Sequence, residues 1–480
     1  MNRSLNDLPV ERLPAEVNLW GRVLFLVDDP DLIRRQLRGE DLHWPLEAAL
    51  RDNVSTDEIT PAYICYYFDD TLGKYPYLGL KVGAEFPVPR GSVKAGGFVC
   101  SVSGKRRGKG SSREQSPYAE LCAGIKVVVA ENIERIYREN CQNLGLLTST
   151  DFSLVERILR RQPISIAEFT KGEGAITRDI VEYGGLFQYN VARLQGKTHP
   201  PSVETPPRPM TLGEKIVASH WVKNLALDQV GVPHVKPGDE GFVRTDIRFS
   251  HEYVTPMAAI FWEKYVGADE RILDPSTVFF FRDHLTFLET IMTEERKAQG
   301  LLAVAQELKA KQEAFAKKQG VKLYGELPRL TDGQARGSEA ICHSKILETH
   351  ALPGQLVIGS DSHTPHAGAI GCLAFGVGTT AIFNSWLTKD VRINVPPSVL
   401  IRIAGRLPVN VTAKDLMLQI LRQPYVKDGK AIGKIVEYAG EAVEALSVDE
   451  RATMTNMAAE VGAFTGIVRP DGKVVDYLVS

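Results

Sequence analysis

Asp361-Ser362-His363-Thr364 closes the apolar run QLVIG and is followed by Gly368, Gly371, Gly376 and Gly378. An acid, a hydroxyl and an imidazole on one strand-end loop suit proton transfer, and glycines let the backbone come close to a ligand. Asp283-His284 closes a second apolar run, STVFFF. A histidine beside a carboxylate can be held as imidazolium and act as a general acid. His343, in EAICHSKILE, lies in the same region. One such histidine alone reads as a satisfied core residue; three near strand ends in one region read as a site.

Upstream, Gly110-Ser111-Ser112-Arg113-Glu114 follows the basic stretch Lys105 to Lys109 and precedes SPYAEL. A Gly–Ser–Ser turn entering a helix offers free N–H groups, two hydroxyls and a guanidinium to a carboxylate or phosphate. The plainer reading is an N-cap beside a solvated basic loop. Asn53 to Asp57 and Ile59-Thr60-Pro61 form a polar loop that could border that turn, and alone are only a turn. Met454 to Glu460 reads as a helix carrying Asn456 and Glu460 one turn apart. That pair could reach a site or simply face solvent.

The elements that must position these residues alternate between strand and helix. AGGFVCSVSG, AGIKVVVA, STVFFF, QLVIG and the two halves of VRINVPPSVLIRIAG read as strands. SPYAELCAG, NIERIYRENCQNLG, residues 286–320 and AKDLMLQIL read as helices, with Gly145 as a stop. TLGEKIVASHW opens on Thr211 with Glu214 three residues on, a capping box. The fold class is therefore α/β. Five prolines in residues 199–210 make a stiff connector. The divisions expected are a lead-in over 1–40, an α/β domain over 41–175, a Pro-rich linker over 176–210, and two further domains over 211–385 and 386–480.

Composition narrows the class of function. A net charge of −2 over 480 residues gives no field that calls for nucleic acid or an acidic membrane. No run is apolar enough to span a bilayer, and the first residues make a poor signal peptide, so a cytoplasmic location is expected. Cys65, Cys100, Cys122, Cys141, Cys342 and Cys372 show no C-x-x-C pair and are expected to be reduced core residues.

In order along the chain, TLGEKIVASH, RDH, ICHSKILETHALPG, IGSDSHTPHAGAIGCLAFGVGTT, VTAKDL and MTNMAAEVGAFTG resemble the aconitase superfamily of aconitases, homoaconitases and isopropylmalate isomerases. NVSTDEITP, GSSRE and KVVVAENIERIYRENCQNLGLL resemble its swivel domain. The resemblance implies a three-layer α/β swivel domain (41–175) followed by aconitase-type α/β catalytic domains. It implies a hydro-lyase that moves a hydroxyl between adjacent carbons of a small di- or tricarboxylate, on a [4Fe–4S] cluster. By motif, Ser111 would take the carbon-bound proton, and Ser112 and Arg113 would bind carboxylate. His284, paired with Asp283, would protonate the departing hydroxyl. His343, Asp361 and His363 would order water and substrate. Ser362 and His251, in FSHEYVTP, would touch substrate, and Glu460 and Asn456 would sit beside the cluster.

The sequence departs from that pattern in two ways. The swivel-like part comes first, where many relatives place it last or on a separate subunit. The Ser-Cys-Thr-Asn cysteine and later C-x-x-C that hold the cluster in relatives have no counterpart, so either a second chain carrying the cluster domain is a partner, or the chain is a truncated product, or it binds something else. VTAKDL resembles isopropylmalate isomerases, while EKIVASH resembles aconitases; the aromatic YICYYFDDTLGKYPYLG suits a less polar substituent than a third carboxylate, but it also carries Lys74. Expected functions are thus a 3-isopropylmalate dehydratase-like enzyme, an aconitate hydratase-like enzyme, or a non-catalytic carboxylate-binding remnant.

Overall fold

The computed structural model describes residues 8–110, 114–328, 333 and 336–480. It divides into two compact units. The first comprises Met1–Thr198, Ile260–Ala268 and Gly378–Thr380; the second comprises His199–Ala259, Asp269–Val377 and Ala381–Ser480.

The first unit is built on a parallel sheet in the order β1 (Arg22–Phe25), β2 (Phe98–Ser103), β3 (Val127–Ala130) and β4 (Leu147–Ser149). Every residue of β2 to β4 is buried. A sheet covered on both faces selects apolar runs over alternation, which is why β2 and β3 read so plainly; the short Leu-Thr-Ser strand β4 gave no such signal. α1 (Pro30–Leu37) is capped by Asp29, whose carboxylate accepts the amides of Asp31 and Leu32. α2 (Gln115–Cys122) follows the Ser–Ser–Arg stretch in sequence, and α3 (Arg135–Leu144) stops at Gly145, whose φ of 81° suits glycine. The stretch expected as a lead-in supplies β1, and residues 175–194 form helices α4 (Ala175–Glu182) and α5 (Leu186–Leu194).

Residues 199–210 contain neither helix nor strand. Proline removes the amides a ladder needs, so side chains tie the segment down: Thr205 donates to Asp239, and Arg208 donates to Val235 O and pairs with Glu214. In the second unit α6 (Leu212–His220) opens on the capping box of Thr211 and Glu214. β5 (Glu240–Arg244) runs straight on to β6 (Ile247–His251). Then come β7 (Val278–Phe281), α7 (Leu301–Gln319), β8 (Lys322–Tyr324), α8 (Cys342–Thr349), β9 (Leu356–Gly359) and β10 (Leu373–Gly376).

The principal sheet is wholly parallel, in the order β8-β7-β6-β9-β10. β11 (Asp390–Asn394) pairs antiparallel with β5. β12 (Ser398–Arg402), β13 (Ile435–Ala439) and β14 (Thr465–Val468) form a second parallel sheet, with α9 (Ala413–Leu421) and α10 (Val448–Asn456) in its connections. Among the described residues no helix is long and apolar enough to cross a membrane.

Candidate active site

Parallel strands all end on one side, and loops leaving that side meet. In the second unit the register sets His251 level with Phe281, and Phe249 level with Gly359. His251 and Glu252 thus leave β6 beside Asp283 and His284 from β7 and Asp361 to His363 from β9. A Cβ on Gly376, the last residue of β10, would lie 2.5 Å from Asp361 O, so only glycine allows that approach.

Asp361 is the hub. Its Oδ1 accepts a hydrogen bond from His343 Nε2 at 3.1 Å and from the His363 amide at 2.8 Å. Its Oδ2 lies 3.5 Å from His284 Nε2. Burial works against the charged carboxylate, but hydrogen bonds from His284, His343 and His363 outweigh it and hold Asp361 far below the usual carboxylate range. The bond to Asp361 in turn raises His284 against the opposing effect of burial. His363 is pushed up to about 9 by Asp361 and, after the opposing burial, by Glu460, to which its Nε2 donates at 3.1 Å. Ser362 Oγ lies 3.2 Å from His363 Nδ1.

Asp283 does not pair with His284 as the sequence suggested. Its Oδ2 accepts the Cys342 amide at 3.2 Å, because α8 starts against it, and His284 faces Asp361 instead. The expected continuous helix over 454–460 is broken: α10 ends at Asn456, and a short helix begins at Ala458. The break still turns both side chains inward, Glu460 to His363 and Asn456 Nδ2 to His366 Nδ1 at 3.4 Å.

Two residues were missed from the sequence. Glu252 is fully buried, and its two oxygens accept the amides of Asp283 and Leu285, fixing the backbone on either side of His284. Burial raises its pKa. His366 is driven to about 4 by burial and then by His343 and His363, so it is neutral at pH 7. The HE and TPH steps were the available signals. His251, buried beside His284 with ring centroids 4.5 Å apart, is likewise lowered to about 4, by burial first and His284 second.

In the first unit the expected anion-binding residues Ser111, Ser112 and Arg113 lie outside the described residues. The stretch before them is firmly held. Arg107, fully buried, pairs with Glu120, which also receives the Tyr77 and Tyr137 hydroxyls. Gly108 donates to Val54 O and Thr56 donates to Lys109 O, both at 2.8 Å, so the polar loop over 53–57 does run beside this stretch. Glu114, which follows Arg113 in sequence, is buried and its pKa is raised to about 8 by desolvation.

The aconitase family (aconitate hydratase) profile matches residues 214–480, more than half of the chain and all of the histidine and carboxylate cluster. The chain belongs to the aconitase family. The aconitase C-terminal domain profile matches residues 93–150, which include β2, α2, β3 and residues Ser111 to Arg113.

Relatives of this aconitase-family chain include the 3-isopropylmalate dehydratase large subunit 1 of Pyrococcus furiosus, 35% identical over 270 residues, 56% of each chain. The large subunit from Sulfurihydrogenibium sp. is 36% identical over 56% of this chain and 55% of its own. The chloroplastic large subunit of Arabidopsis thaliana is 30% identical over 56% and 49%. The chain thus spans about half the length of the curated relatives it matches. A crystal structure of a 3-isopropylmalate dehydratase from Methanocaldococcus jannaschii is 28% identical over 30% of this chain and 92% of its own, with a TM-score of 0.23, too low to carry a likeness of fold.

The family implies a [4Fe–4S] cluster, which thiolates hold. The six cysteines form no disulfide; five are buried and Cys122 is partly so. Only Cys342 borders the site, where burial and then Asp283 push its thiol up, away from the thiolate form. The close group of metal-type ligands among the described residues contains no thiol. The residues present do not fit the cluster.

Proposed function

We propose that this chain is part of a hydro-lyase that dehydrates and rehydrates a small 2-hydroxy dicarboxylate of the 3-isopropylmalate type. The observation that carries the reading is Asp361 at the sheet's strand ends, charged and met by three imidazoles. Loss of a hydroxyl needs a proton delivered to a poor leaving group. His284, its proton retained by Asp361, is the donor in this reading, and Glu252 keeps its loop in place. His343 and His363, both tied to Asp361, orient the substrate's hydroxyl and carboxylate, with Ser362 beside them. Ser111 is assigned the carbon-bound proton, and Ser112 and Arg113 a substrate carboxylate.

The isopropylmalate-type substrate is supported by the names of the relatives and by the aromatic segment around Tyr67 and Tyr75, whose rings stack at 4.9 Å. An apolar wall suits an alkyl group better than a third carboxylate. A second chain bearing the cluster domain and a cytoplasmic setting belong to the same proposal.

The test is turnover on 3-isopropylmalate against citrate, with a cluster-bearing partner chain present. Faster turnover of isopropylmalate is expected, reduced by about 100-fold or more in His284→Asn. Faster turnover of citrate would replace the substrate assignment. Tight substrate binding with no turnover of either acid would make the chain a carboxylate-binding remnant.

A further inference from the structure

We propose that His251, Glu252 and His284 form a site for a single divalent transition-metal ion, distinct from the thiolate-held cluster the family implies. One ligand atom from each lies within 4.8 Å of the others. Three ligands about 2.1 Å from an ion stand about 3.4 to 3.6 Å apart, so the group closes on a metal with shifts of at most about 0.8 Å for each ligand. The residues come from two adjacent parallel strands, β6 and β7, whose register fixes their spacing.

The surroundings are those of a ligand set. His284 Nε2 faces Asp361 Oδ2, a carboxylate–imidazole pair that orients a ligand ring. Both Glu252 oxygens accept backbone amides, from Leu285 and Asp283, which fixes the carboxylate while each oxygen keeps a second lone pair. His251 Nδ1 carries a lone pair, met by a long 3.3 Å approach of the Tyr253 amide that an ion would displace.

Charge points the same way. Glu252, Asp283, Asp361 and Glu460 crowd one strand-end region, and among the described residues none pairs with a lysine or arginine. Imidazoles and amides are their partners. The carboxylates outnumber the cationic imidazoles, which favours a divalent cation. Two imidazoles and one carboxylate select a borderline ion such as Zn²⁺, Fe²⁺ or Co²⁺ over Mg²⁺ or Ca²⁺. The inference does not depend on the reaction proposed above; a bound ion needs His284 as a neutral ring, so the ion-bound chain is a different state from the one in which His284 donates a proton.

The experiment is titration of the full chain, stripped with chelator, with Co²⁺ under anaerobic conditions, followed by absorption and metal analysis. One ion per chain is expected, with ligand-field bands, no thiolate charge-transfer band, and displacement by Zn²⁺. His284 is half-exposed, so His284→Asn keeps the fold and is expected to weaken binding by about 100-fold or more. Glu252→Gln, checked for folding by circular dichroism, is expected to do likewise. Cys342→Ser is expected to leave binding unchanged. No uptake, uptake unaffected by His284→Asn, a thiolate charge-transfer band, or loss of binding in Cys342→Ser would each overturn the proposal.

Discussion

His363 shows how one carboxylate can set the protonation of its neighbours. Its imidazolium is stabilised by Asp361 and Glu460 and titrates at about 9, above the ordinary value near 6.5. The folded-state value is the higher one. The stability this group contributes is therefore fully present below about pH 6.5 and lost as pH rises through about 9. Glu460→Gln keeps the shape of the contact and removes one of the two charges. Histidine NMR titration is expected to show the His363 value falling by about one unit or less in Glu460→Gln, and by more in Asp361→Asn, because Asp361 is the larger influence. An unchanged value in both variants would mean that the ring does not face these carboxylates.

At the scale of elements, the sequence exposed whatever local chemistry dictates. Thr211 and Glu214 announce a helix start because their side chains satisfy amides only there, and the structure forms that box. β2, β3 and β7 were legible because strands buried on both sides are mainly apolar, whereas the short Leu-Thr-Ser strand β4 was not. The break at Met457 was not legible, because the packing that turns Asn456 and Glu460 inward is tertiary. Nor was the partner of His284: Asp283 is its neighbour in sequence, but the parallel register brings Asp361 to it.

Glu114 gives this scale its prediction. It precedes α2, is buried, and accepts the Thr380 amide at 2.7 Å within the first unit. Desolvation lifts its pKa from 4.5 to about 8. The folded state thus binds more protons than the unfolded one between those values, and stability falls as pH rises through that window. Glu114→Gln keeps an acceptor for the amide without the charge. Thermal melts are expected to show the variant losing less stability than the wild type between pH 5 and pH 9 (about those limits). Parallel curves for the two proteins would place Glu114 in water.

Over the whole molecule, cluster chemistry is decided by where the sulfur lies. Cys65, Cys100, Cys122 and Cys141 belong to the first unit; Cys342 and Cys372 belong to the second. Cys100 sits within β2 and Cys141 within α3, and burial pushes both thiols up. Cys372 is held by a bond to Leu352 O. A [4Fe–4S] cluster needs several thiolates converging on one point, and no such convergence occurs among the described residues, which include every cysteine. The imidazoles and carboxylates converge instead, because parallel strands deliver their ends to one edge. Incubation of the 480-residue chain alone with iron and sulfide is therefore expected to leave no stoichiometric acid-labile sulfide on the protein. A chain that emerged brown, with about four sulfides bound, would require its cysteines to leave these cores and would refute the arrangement described.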